Sequence, residues 1–477
     1  MGKKLRFLFL SLIGLFGSRH TSLAQGSQER NEDIFVQVIA HINDHRSDLV
    51  YNMLNGSFRV KYTSEVFAGV LETNLYPLGK ITTHELMNYN NGLSRYKVTA
   101  GSTLLEFRIS LDDSDMIAGL RFLPYKEAAS SKTVLVPTDN PLQTKQDRRI
   151  DTIARRYINQ STTVGMSIGI YKGDNSYFYG YGSTEKGHNH IPGSDAIFEI
   201  GSITKTFTAT LLAYYVGEHK VALSDPITKY LPDSVAANKE LQQITLQMLA
   251  NHTSGLPRLP SNLELSNTTM INPYKTYNKE QLFAALKDCK LQSVPGEKYT
   301  YSNLAAGLLG AILERVSGIS YEQMTTNIIC KSFNMTSTMQ HPDSAEADRQ
   351  VAVYNDRGTP VVMWDFDALA GAGALRSTTH DMLLYARANM EQDKTNLGKA
   401  IALTHNITCA TEMNVGLGWH MNKFPDGTTY YWHNGGTGGS SSYIAFIVEK
   451  NIAVVLLSNA ATTTDDTGID LLKLLDK

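Results

Sequence analysis

Apolar residues along the last two thirds of the chain recur at two spacings, which predict a mixture of helices and strands. Residues 148–158 form an amphipathic helical pattern, and the middle of the chain is dominated by apolar helical segments such as 206–216 and 303–316. Turn residues join four shorter apolar runs into two predicted hairpins: 164–170 with 177–181, and 443–448 with 452–457. Strands near both ends predict an α+β fold: one antiparallel sheet built from both termini and flanked by helices, with an inserted helical subdomain.

A separate small domain is predicted ahead of this region, over residues 31–126. It begins with a helical pattern and continues in short runs rich in Val, Tyr, Phe and Thr, such as 58–62 and 104–109, which predict strands. One helix with several strands indicates a small α+β accessory domain, similar in pattern to cystatin-like or NTF2-like modules. The polar segment 127–146 contains two prolines and is predicted to be a linker to the domain over 147–477.

The first residues have the pattern of an export signal. Three basic residues precede an apolar run over 7–16, which is too short to span a bilayer as a stable helix. Small residues in 22–24 stand at the two positions that a signal peptidase reads. Residues 1–24 are therefore predicted to be a signal peptide, and the mature protein is expected to be exported, periplasmic or secreted, with no stable membrane span.

Composition and charge exclude several classes of function. Hydrophobic residues make up 42% and charged residues 19% of the 477, which is typical of a globular protein with a large core. With 44 Lys and Arg against 46 Asp and Glu, the formal net charge of -2 supplies no field that would attract nucleic acid. The three cysteines lie far apart without a CxxC pair, so neither a disulfide scaffold nor a zinc site is predicted. No metal or other cofactor is expected.

Two serine motifs compete for the role of nucleophile. Ser167 fits the G-x-S-x-G elbow, but that motif requires a sharp strand-to-helix turn, and this serine lies inside a predicted strand. Ser202 opens the sequence Ser-Ile-Thr-Lys, and on a helix Lys205 would share a face with its hydroxyl. A serine hydroxyl needs a base nearby, and lysine can serve if burial or a neighbouring positive charge lowers its pKa.

The context of Ser202 favours it as the nucleophile. An apolar stretch ending in glycine precedes it and the predicted helix 206–216 follows, so its hydroxyl is expected at a helix N-terminus, where free amides favour a developing anion. Two further motifs follow in order along the chain. They are Tyr301-Ser302-Asn303, at the start of a predicted helix, and His433-Asn434-Gly435, in a glycine-rich run.

In these three motifs, the sequence resembles the serine β-lactamase and penicillin-binding-protein superfamily. It is most similar to the branch containing class C β-lactamases, D,D-carboxypeptidases, D-aminopeptidases and related esterases, over about residues 147–475. Flanking phrases typical of that branch are LANHTSGL at 249–256, PGEK at 295–298, GAILE at 310–314 and GLGW at 416–419. The resemblance implies a β-lactamase/transpeptidase-like fold for this region, and it does not extend to the accessory domain.

The resemblance also implies roles for individual residues. Ser202 would attack a carbonyl and form an acyl-enzyme, while Lys205 and Tyr301 would share the work of the base, in an order that the sequence leaves open. Asn303 would hydrogen-bond Lys205 and the substrate amide. The resemblance implies that four residues at the third motif bind the substrate and form an oxyanion hole together with the amide of Ser202. They are His433, Asn434, Gly435 and Gly436.

One motif departs from a common pattern, in which Lys-Thr-Gly stands where this chain has His-Asn-Gly at 433–435. A lysine there supplies a fixed charge for a substrate carboxylate, whereas histidine is mostly neutral at pH 7.

The prediction is therefore a serine hydrolase that cleaves amide or ester bonds, with D-amino-acid peptides favoured. The alternatives are an esterase or weak class C-like β-lactamase and, in another class, a catalytically silent binder or sensor of cell-wall peptides. The expected partner is a small molecule or peptide (cell-wall peptide, ester or β-lactam), and the oligomeric state is left open.

Overall fold

A computed structural model of the chain describes residues 26–90, 93–112, 114–125, 135–264, 271–391, 393–410 and 414–476. The chain divides after Ala129 into two compact units. The predicted signal peptide over 1–24 lies outside the described residues, so the structure has no bearing on it.

The first unit combines four helices with a four-stranded antiparallel sheet. Its elements are α1 (Gly26–Asn43), α2 (Ser47–Asn52), α3 (Gly56–Lys61), α4 (Ser64–Asn74), β1 (Ile81–Asn90), β2 (Leu93–Ala100), β3 (Thr103–Leu111) and β4 (Ile117–Pro124), with the strands paired in that order. Phe35 of α1 stacks on Tyr96 of β2 with ring centroids 3.6 Å apart, and Phe107 of β3 packs edge-on against it. These buried rings join α1 to the sheet and form the centre of an independent core.

The strand predicted over 58–62 is wrong, because this segment forms α3. The side chain of Asn55 accepts a hydrogen bond from the backbone N–H of Phe58 and caps the helix. Phe58 is buried, so an aromatic residue that favoured a strand instead packs one helical turn into the core. The run over 104–109 does lie in a strand, β3.

Part of the predicted linker belongs to the second unit. Thr138 donates a hydrogen bond to the carbonyl of Gly180, and the buried side chain of Asn140 donates to the hydroxyl of Tyr181. These contacts fix residues 135–144 against the unit, and Thr144 then caps the first helix of that unit. Proline and polar residues here therefore mark an ordered extended segment rather than a free connection.

The second unit contains an eight-stranded antiparallel sheet and two short strand pairs. Its strands are β5 (Gly165–Lys172), β6 (Asn175–Gly182), β7 (Phe198–Glu199), β8 (Val353–Tyr354), β9 (Pro360–Val361), β10 (Arg376–Ser377), β11 (Cys409–Ala410), β12 (Asn414–Val415), β13 (His420–Lys423), β14 (Thr429–Gly436), β15 (Ser441–Ile447) and β16 (Ile452–Ser458). The large sheet has the order β11-β12-β13-β14-β15-β16-β5-β6, and the short pairs are β7 with β10 and β8 with β9. The two predicted hairpins are confirmed as β5–β6 and β15–β16, and β16 pairs directly with β5.

Helices cover both faces of this sheet. They are α5 (Lys145–Ile158), α6 (Thr204–Gly217), α7 (Asp233–Ala236), α8 (Leu246–Ala250), α9 (Lys279–Lys287), α10 (Asn303–Ser317), α11 (Tyr321–Met324), α12 (Ala370–Gly373), α13 (Thr379–Glu391), α14 (Asn396–Thr404) and α15 (Asp465–Asp476). Alternate residues of β16 illustrate the layering: Val454 packs with α5 and α15, whereas Val455 packs with the core that contains α6 and α13. The predicted sheet from both termini, with inserted helices, is confirmed.

No single helix in the described ranges is long and apolar enough to cross a membrane. The bent pair formed by α10 and the segment Tyr321–Cys330 passes the same test of length and composition, with a bend of 78°. Across the same ranges, no group of three or more His, Cys, Asp and Glu side chains is placed to hold a metal ion. The three cysteines are buried, and none forms a disulfide among the described residues.

Candidate active site

Ser202 lies in a 3₁₀ turn, Gly201–Ile203, that leads directly into α6. Gly201 has a φ of +48°, in the left-handed region that favours glycine. A Cβ on Gly201 would lie 2.7 Å from the backbone nitrogen of Gly436, so this turn also needs glycine to let β14 approach. The hydroxyl therefore stands at the start of a buried helix with a glycine strand beside it.

Lys205 lies one helical turn after Ser202 and reaches back to it. Its Nζ is 2.9 Å from Ser202 Oγ and 2.6 Å from the carbonyl oxygen of Ala372, in α12. The side chain is almost fully buried, with 3% of its surface exposed. Burial, with a smaller contribution from the charge of Arg258, lowers the pKa of Lys205 well below its usual range. A lysine in this environment is a base rather than a permanent cation.

Tyr301 completes the group at the nucleophile. Its ring centroid lies 4.9 Å from Lys205 Nζ. Burial raises the pKa of Tyr301 to about 12, although the neighbouring Ser202 hydroxyl and the charge of Arg258 lower it in part. At neutral pH the phenol therefore keeps its proton and can donate it.

Hydrogen bonds to residues 252 and 257 fix the segment that carries Tyr301. The backbone N–H of Ser302 donates to His252 Nδ1 at 3.2 Å, and the Ser302 hydroxyl donates to the carbonyl of Pro257 at 2.7 Å. Ser302 also caps α10, accepting from the N–H of Ala305. The ring of His252 packs 4.4 Å from that of Tyr301. His252 thus acts as a structural hydrogen-bond acceptor.

Asn303 is the first residue of α10, but its side chain is not hydrogen-bonded to Lys205, contrary to what the resemblance implied. The Lys205 amine is directed at Ser202 and Ala372, and the Asn303 side chain lies near the hydroxyl of Tyr274. Asn303 Oδ1 is buried and has no hydrogen-bond partner among the described residues. That oxygen is an acceptor available to a substrate amide.

His433 lies on β14 beneath the catalytic group, with 1% of its surface exposed. Its ring centroid is 5.0 Å from that of His420 and 6.4 Å from that of Tyr301. Burial, together with His420 and Lys205, lowers the pKa of His433 well below 6.5. Burial likewise lowers the pKa of His420 to about 4. The imidazole that replaces the lysine of related motifs is therefore neutral at pH 7.

The remaining residues at the third motif, Asn434 to Gly436, make contacts with different parts of the second unit. Asn434 donates to Asp465 Oδ2, at the start of α15, at 2.8 Å, so its side chain is not brought to Ser202. This contact ties β14 to the start of α15, and the role of Asn434 in substrate binding stays a prediction. Gly435 packs against the carbonyl of Ile200, where any side chain would overlap. The Gly436 backbone lies beside the turn that carries Ser202.

Ser167 has no part in this arrangement. It lies within β5, is buried, and its Oγ is 2.8 Å from Thr379 Oγ1 and 3.1 Å from the carbonyl oxygen of Gly193. The hydroxyl joins the sheet to α13, which explains the G-x-S-x-G pattern as a packing feature.

Sequence reasoning missed Glu199. This buried carboxylate accepts hydrogen bonds from the N–H of Trp364 at 2.6 Å, from Thr437 Oγ1 at 2.8 Å and from Ser440 Oγ at 2.9 Å. Burial raises its pKa. A charged residue within the otherwise apolar run that precedes Gly201 was the available signal, since buried carboxylates require hydrogen-bonded partners. Glu199 anchors the glycine-rich loop that follows β14.

Comparisons with known proteins place this chain in a family. Residues 150–476 match the family model for beta-lactamase. A beta-lactamase of Lysobacter lactamgenus is 27% identical over 292 residues, covering 61% of this chain and 72% of that protein. The D-alanyl-D-alanine-carboxypeptidase/endopeptidase AmpH of Escherichia coli is 30% identical over 245 residues, covering 51% of this chain and 62% of that protein. The chain therefore belongs to the β-lactamase family and is a serine β-lactamase/carboxypeptidase family hydrolase.

A solved structure agrees with the predicted fold. The beta-lactamase/D-alanine carboxypeptidase from Pseudomonas syringae superposes with a TM-score of 0.61 at 23% identity, covering 70% of this chain and 98% of that one. The expectation of a β-lactamase/transpeptidase-like fold is confirmed.

Proposed function

We propose that the protein is a serine hydrolase that forms an acyl-enzyme on Ser202 and cleaves amide bonds in peptides that contain D-amino acids. The observation that carries this proposal is the 2.9 Å contact between Ser202 Oγ and the buried amine of Lys205. A nucleophile with its base in contact is the arrangement that acyl transfer requires.

In the proposed reaction, Lys205 accepts the proton of Ser202 as the hydroxyl oxygen attacks the substrate carbonyl. The lowered pKa of Lys205 and the raised pKa of Tyr301 favour this order over direct deprotonation by Tyr301. Tyr301 then donates its proton to the leaving group, and the proton that Lys205 took from Ser202 passes to the resulting phenolate. Water hydrolyses the ester by the reverse use of the same groups.

The proposed oxyanion hole consists of the backbone amides of Ser202 and Gly436. The close approach of Gly201 to the Gly436 nitrogen supports it, because this packing holds the two amides next to the same turn. Donors fixed before the reaction stabilise the tetrahedral oxyanion without reorganising. The unpartnered Oδ1 of Asn303 would accept the N–H of a substrate amide.

The names of the relatives support amide substrates over esters. AmpH is named as a D-alanyl-D-alanine carboxypeptidase and endopeptidase, and several other relatives are named as β-lactamases. The neutral His433 lacks the fixed charge of a Lys-Thr-Gly motif, so D-amino-acid peptidase activity is preferred to efficient β-lactam hydrolysis. An esterase or weak β-lactamase is the alternative. A silent cell-wall binder is disfavoured, because binding alone needs no contact between Ser202 and Lys205.

A substrate panel tests this function: D-Ala-D-Ala peptides, D-Ala-p-nitroanilide, p-nitrophenyl esters and nitrocefin. We expect turnover to be fastest on the D-amino-acid amides and to vanish in Ser202→Ala. Ser167→Ala is the matched control, since that serine is buried in β5, and it should keep the chemistry. Intact activity in Ser202→Ala would reject the nucleophile, and a preference for esters or nitrocefin would transfer the assignment to the alternative.

We further propose that the protein is exported, on the basis of the basic and apolar pattern over 1–24. Mass analysis of the protein recovered outside the cytoplasm should give a chain that begins near Gln25. A retained Met1 would contradict cleavage.

A further inference from the structure

Arg258 follows the phrase that holds Tyr301 and is an exposed side chain. Its guanidinium carbon lies 5.2 Å from the centre of the Tyr301 ring. No hydrogen bond or ion pair joins this guanidinium to another side chain in the described part of the chain. All five N–H donors of this guanidinium are therefore available to hydrogen-bond a ligand that binds beside Ser202.

The backbone of Arg258 is fixed, although its side chain is free. Its carbonyl accepts hydrogen bonds from the N–H groups of Asn303 at 2.9 Å and Leu304 at 3.2 Å, at the first turn of α10. The neighbouring carbonyl of Pro257 accepts from Ser302. The backbone of Arg258 is thus tied to the residues that flank Tyr301, which keeps the guanidinium within reach of the phenol.

Arg258 is also the fixed positive charge of this site. Its charge acts on Lys205, Tyr301 and His252, and the groups that face these three are otherwise neutral or uncharged rings. Burial favours the uncharged forms of Lys205, His252 and His433, whereas a guanidinium stays charged at every physiological pH. The charge that a Lys-Thr-Gly motif would place on β14 is absent from His433, and Arg258 places a charge 5.2 Å from the centre of the Tyr301 ring.

We propose that Arg258 is a specificity-determining residue that binds a carboxylate on the leaving-group side of the substrate. The inference rests on the proposed function, in which Tyr301 passes its proton to the leaving group. A leaving group next to the Tyr301 hydroxyl lies within reach of the guanidinium above that ring. The fork of N–H donors matches a carboxylate, such as the C-terminal carboxylate of a peptide from which the last residue is released.

A kinetic comparison tests this role with two forms of one substrate: an N-acetylated peptide ending in D-Ala-D-Ala, and the same peptide with a C-terminal amide. Rates are measured at a pH where kcat/KM no longer changes. In Arg258→Gln, kcat/KM on the free acid should fall roughly 10- to 100-fold, mainly through KM, the range expected for one charge-assisted contact. The loss on the amide should be within about 3-fold of wild type. Arg258→Lys should recover part of the loss on the acid.

Arg315→Gln is the matched control. Arg315 is also exposed, its guanidinium carbon lies 5.7 Å from the Phe283 ring, and it occupies the other end of α10, roughly 18 Å from Asn303. This variant should leave both rates unchanged. Equal losses on the acid and the amide in Arg258→Gln would overturn the proposal, because an effect of Arg258 on Tyr301 or Lys205 alone would act on every substrate. An unchanged rate on the acid would overturn it as well.

Binding to the Ser202→Ala protein separates this inference from the proposed function. Titration calorimetry of the two peptides needs no turnover, so Arg258 is tested even if the wild-type protein hydrolyses neither. The acid should bind more tightly than the amide to Ser202→Ala, and the difference should disappear in Ser202→Ala combined with Arg258→Gln. A difference that survives in the double variant would reject Arg258 as the carboxylate site.

Discussion

The amine of Lys205 is 2.6 Å from the carbonyl oxygen of Ala372, and this contact sets its direction. An amine that donates one hydrogen to a fixed carbonyl can turn its lone pair towards Ser202, which is 2.9 Å away on the other side. The short helix α12 therefore positions the base, although no motif marks it. The chemistry of the nucleophile depends on a backbone carbonyl that is 167 residues further along the chain.

Lys205→Ala and Tyr301→Phe should each lower kcat by about 10² to 10⁴-fold, the usual contribution of a group that moves protons. Steady-state kinetics on the best substrate of the panel measures both. Tyr299→Phe is the control for Tyr301, because the Tyr299 hydroxyl is 2.9 Å from His420 Nε2 and is not directed at Ser202. A Tyr301→Phe protein as active as wild type would remove the phenol from the mechanism.

The decrease of kcat/KM at acid pH should depend on Arg258. Lys205 must be neutral to accept a proton, so kcat/KM falls as the pH drops through the pKa of Lys205. The charge of Arg258 lowers that pKa, and its removal should raise it. We expect Arg258→Gln to shift the acid limb to higher pH when measured with an uncharged ester such as p-nitrophenyl acetate. An acid limb that stays in place would show that the guanidinium has no electrostatic effect on the base.

The stability of the protein should fall in mild acid because of the buried histidines. The pKa of His420 is about 4 in the folded protein and 6.5 as its ordinary value, so between these limits the unfolded chain binds a proton that the folded chain does not. Stability is therefore lost as the pH falls from 6.5 towards 4, by roughly 2 kcal/mol at pH 5 from this residue alone.

Urea unfolding at pH 7 and pH 5 measures the effect of His420. His420→Gln should lose less stability between the two pH values than wild type does. His188→Gln, at a histidine whose side chain is 66% exposed, should behave as wild type. An equal pH dependence in all three proteins would contradict the assignment to His420.

Gly435 and Gly436 should differ in their tolerance of a side chain. A Cβ on Gly435 would overlap with the carbonyl oxygen of Ile200 and with Ser442 Oγ, whereas the nearest atom to a Cβ on Gly436 is 3.9 Å away. Gly435→Ala should thus destabilise the protein by about 1–3 kcal/mol, the typical cost of overpacking. Thermal melts should show a lowered Tm for Gly435→Ala and little change for Gly436→Ala. Similar melting temperatures for the two variants would contradict the close contact between Gly435 and the carbonyl of Ile200.

Glu199 should matter through the loop it anchors. Glu199→Ala leaves the N–H of Trp364 and the hydroxyls of Thr437 and Ser440 without their acceptor, at a cost of roughly 1–3 kcal/mol for each buried group that finds no other partner. We expect a lower Tm and a higher KM. Glu199→Gln is the control, because its amide can accept from Trp364 and donate to both hydroxyls. A Glu199→Ala protein with unchanged Tm and KM would exclude an anchoring role.

The sequence predicted the sheet and the contact between Ser202 and Lys205 well because each has a local signal. Apolar runs with turn residues identify β5, β6, β15 and β16, and helical periodicity identifies α10, whose end at Gly318 has a φ of +76°. Ser202 and Lys205 share a helix, so their contact follows from helical geometry alone. The G-x-S-x-G motif at Ser167 was rejected for the same reason, since its strand context is local.

The rest could not be predicted, because it depends on contacts between distant segments. Periodicity gives no sign that Asn434 turns to Asp465, or that the Lys205 amine bonds Ala372 rather than Asn303. The capping of α3 by Asn55 overrode the strand propensity of the residues after it. Arg258 stands in sequence as an ordinary surface arginine, and only the fold places it above Tyr301.

The pairing of β16 with β5 has a consequence for biosynthesis. These partners are separated by more than 270 residues, and the strand that borders Ser202 comes shortly before β16. During translation Ser202 emerges from the ribosome long before β14 has been synthesised. A partial chain that lacks β14 therefore lacks one side of the proposed active site and cannot be a competent catalyst. Early termination or slow synthesis would instead expose the apolar edge of β5, a surface prone to aggregation and proteolysis.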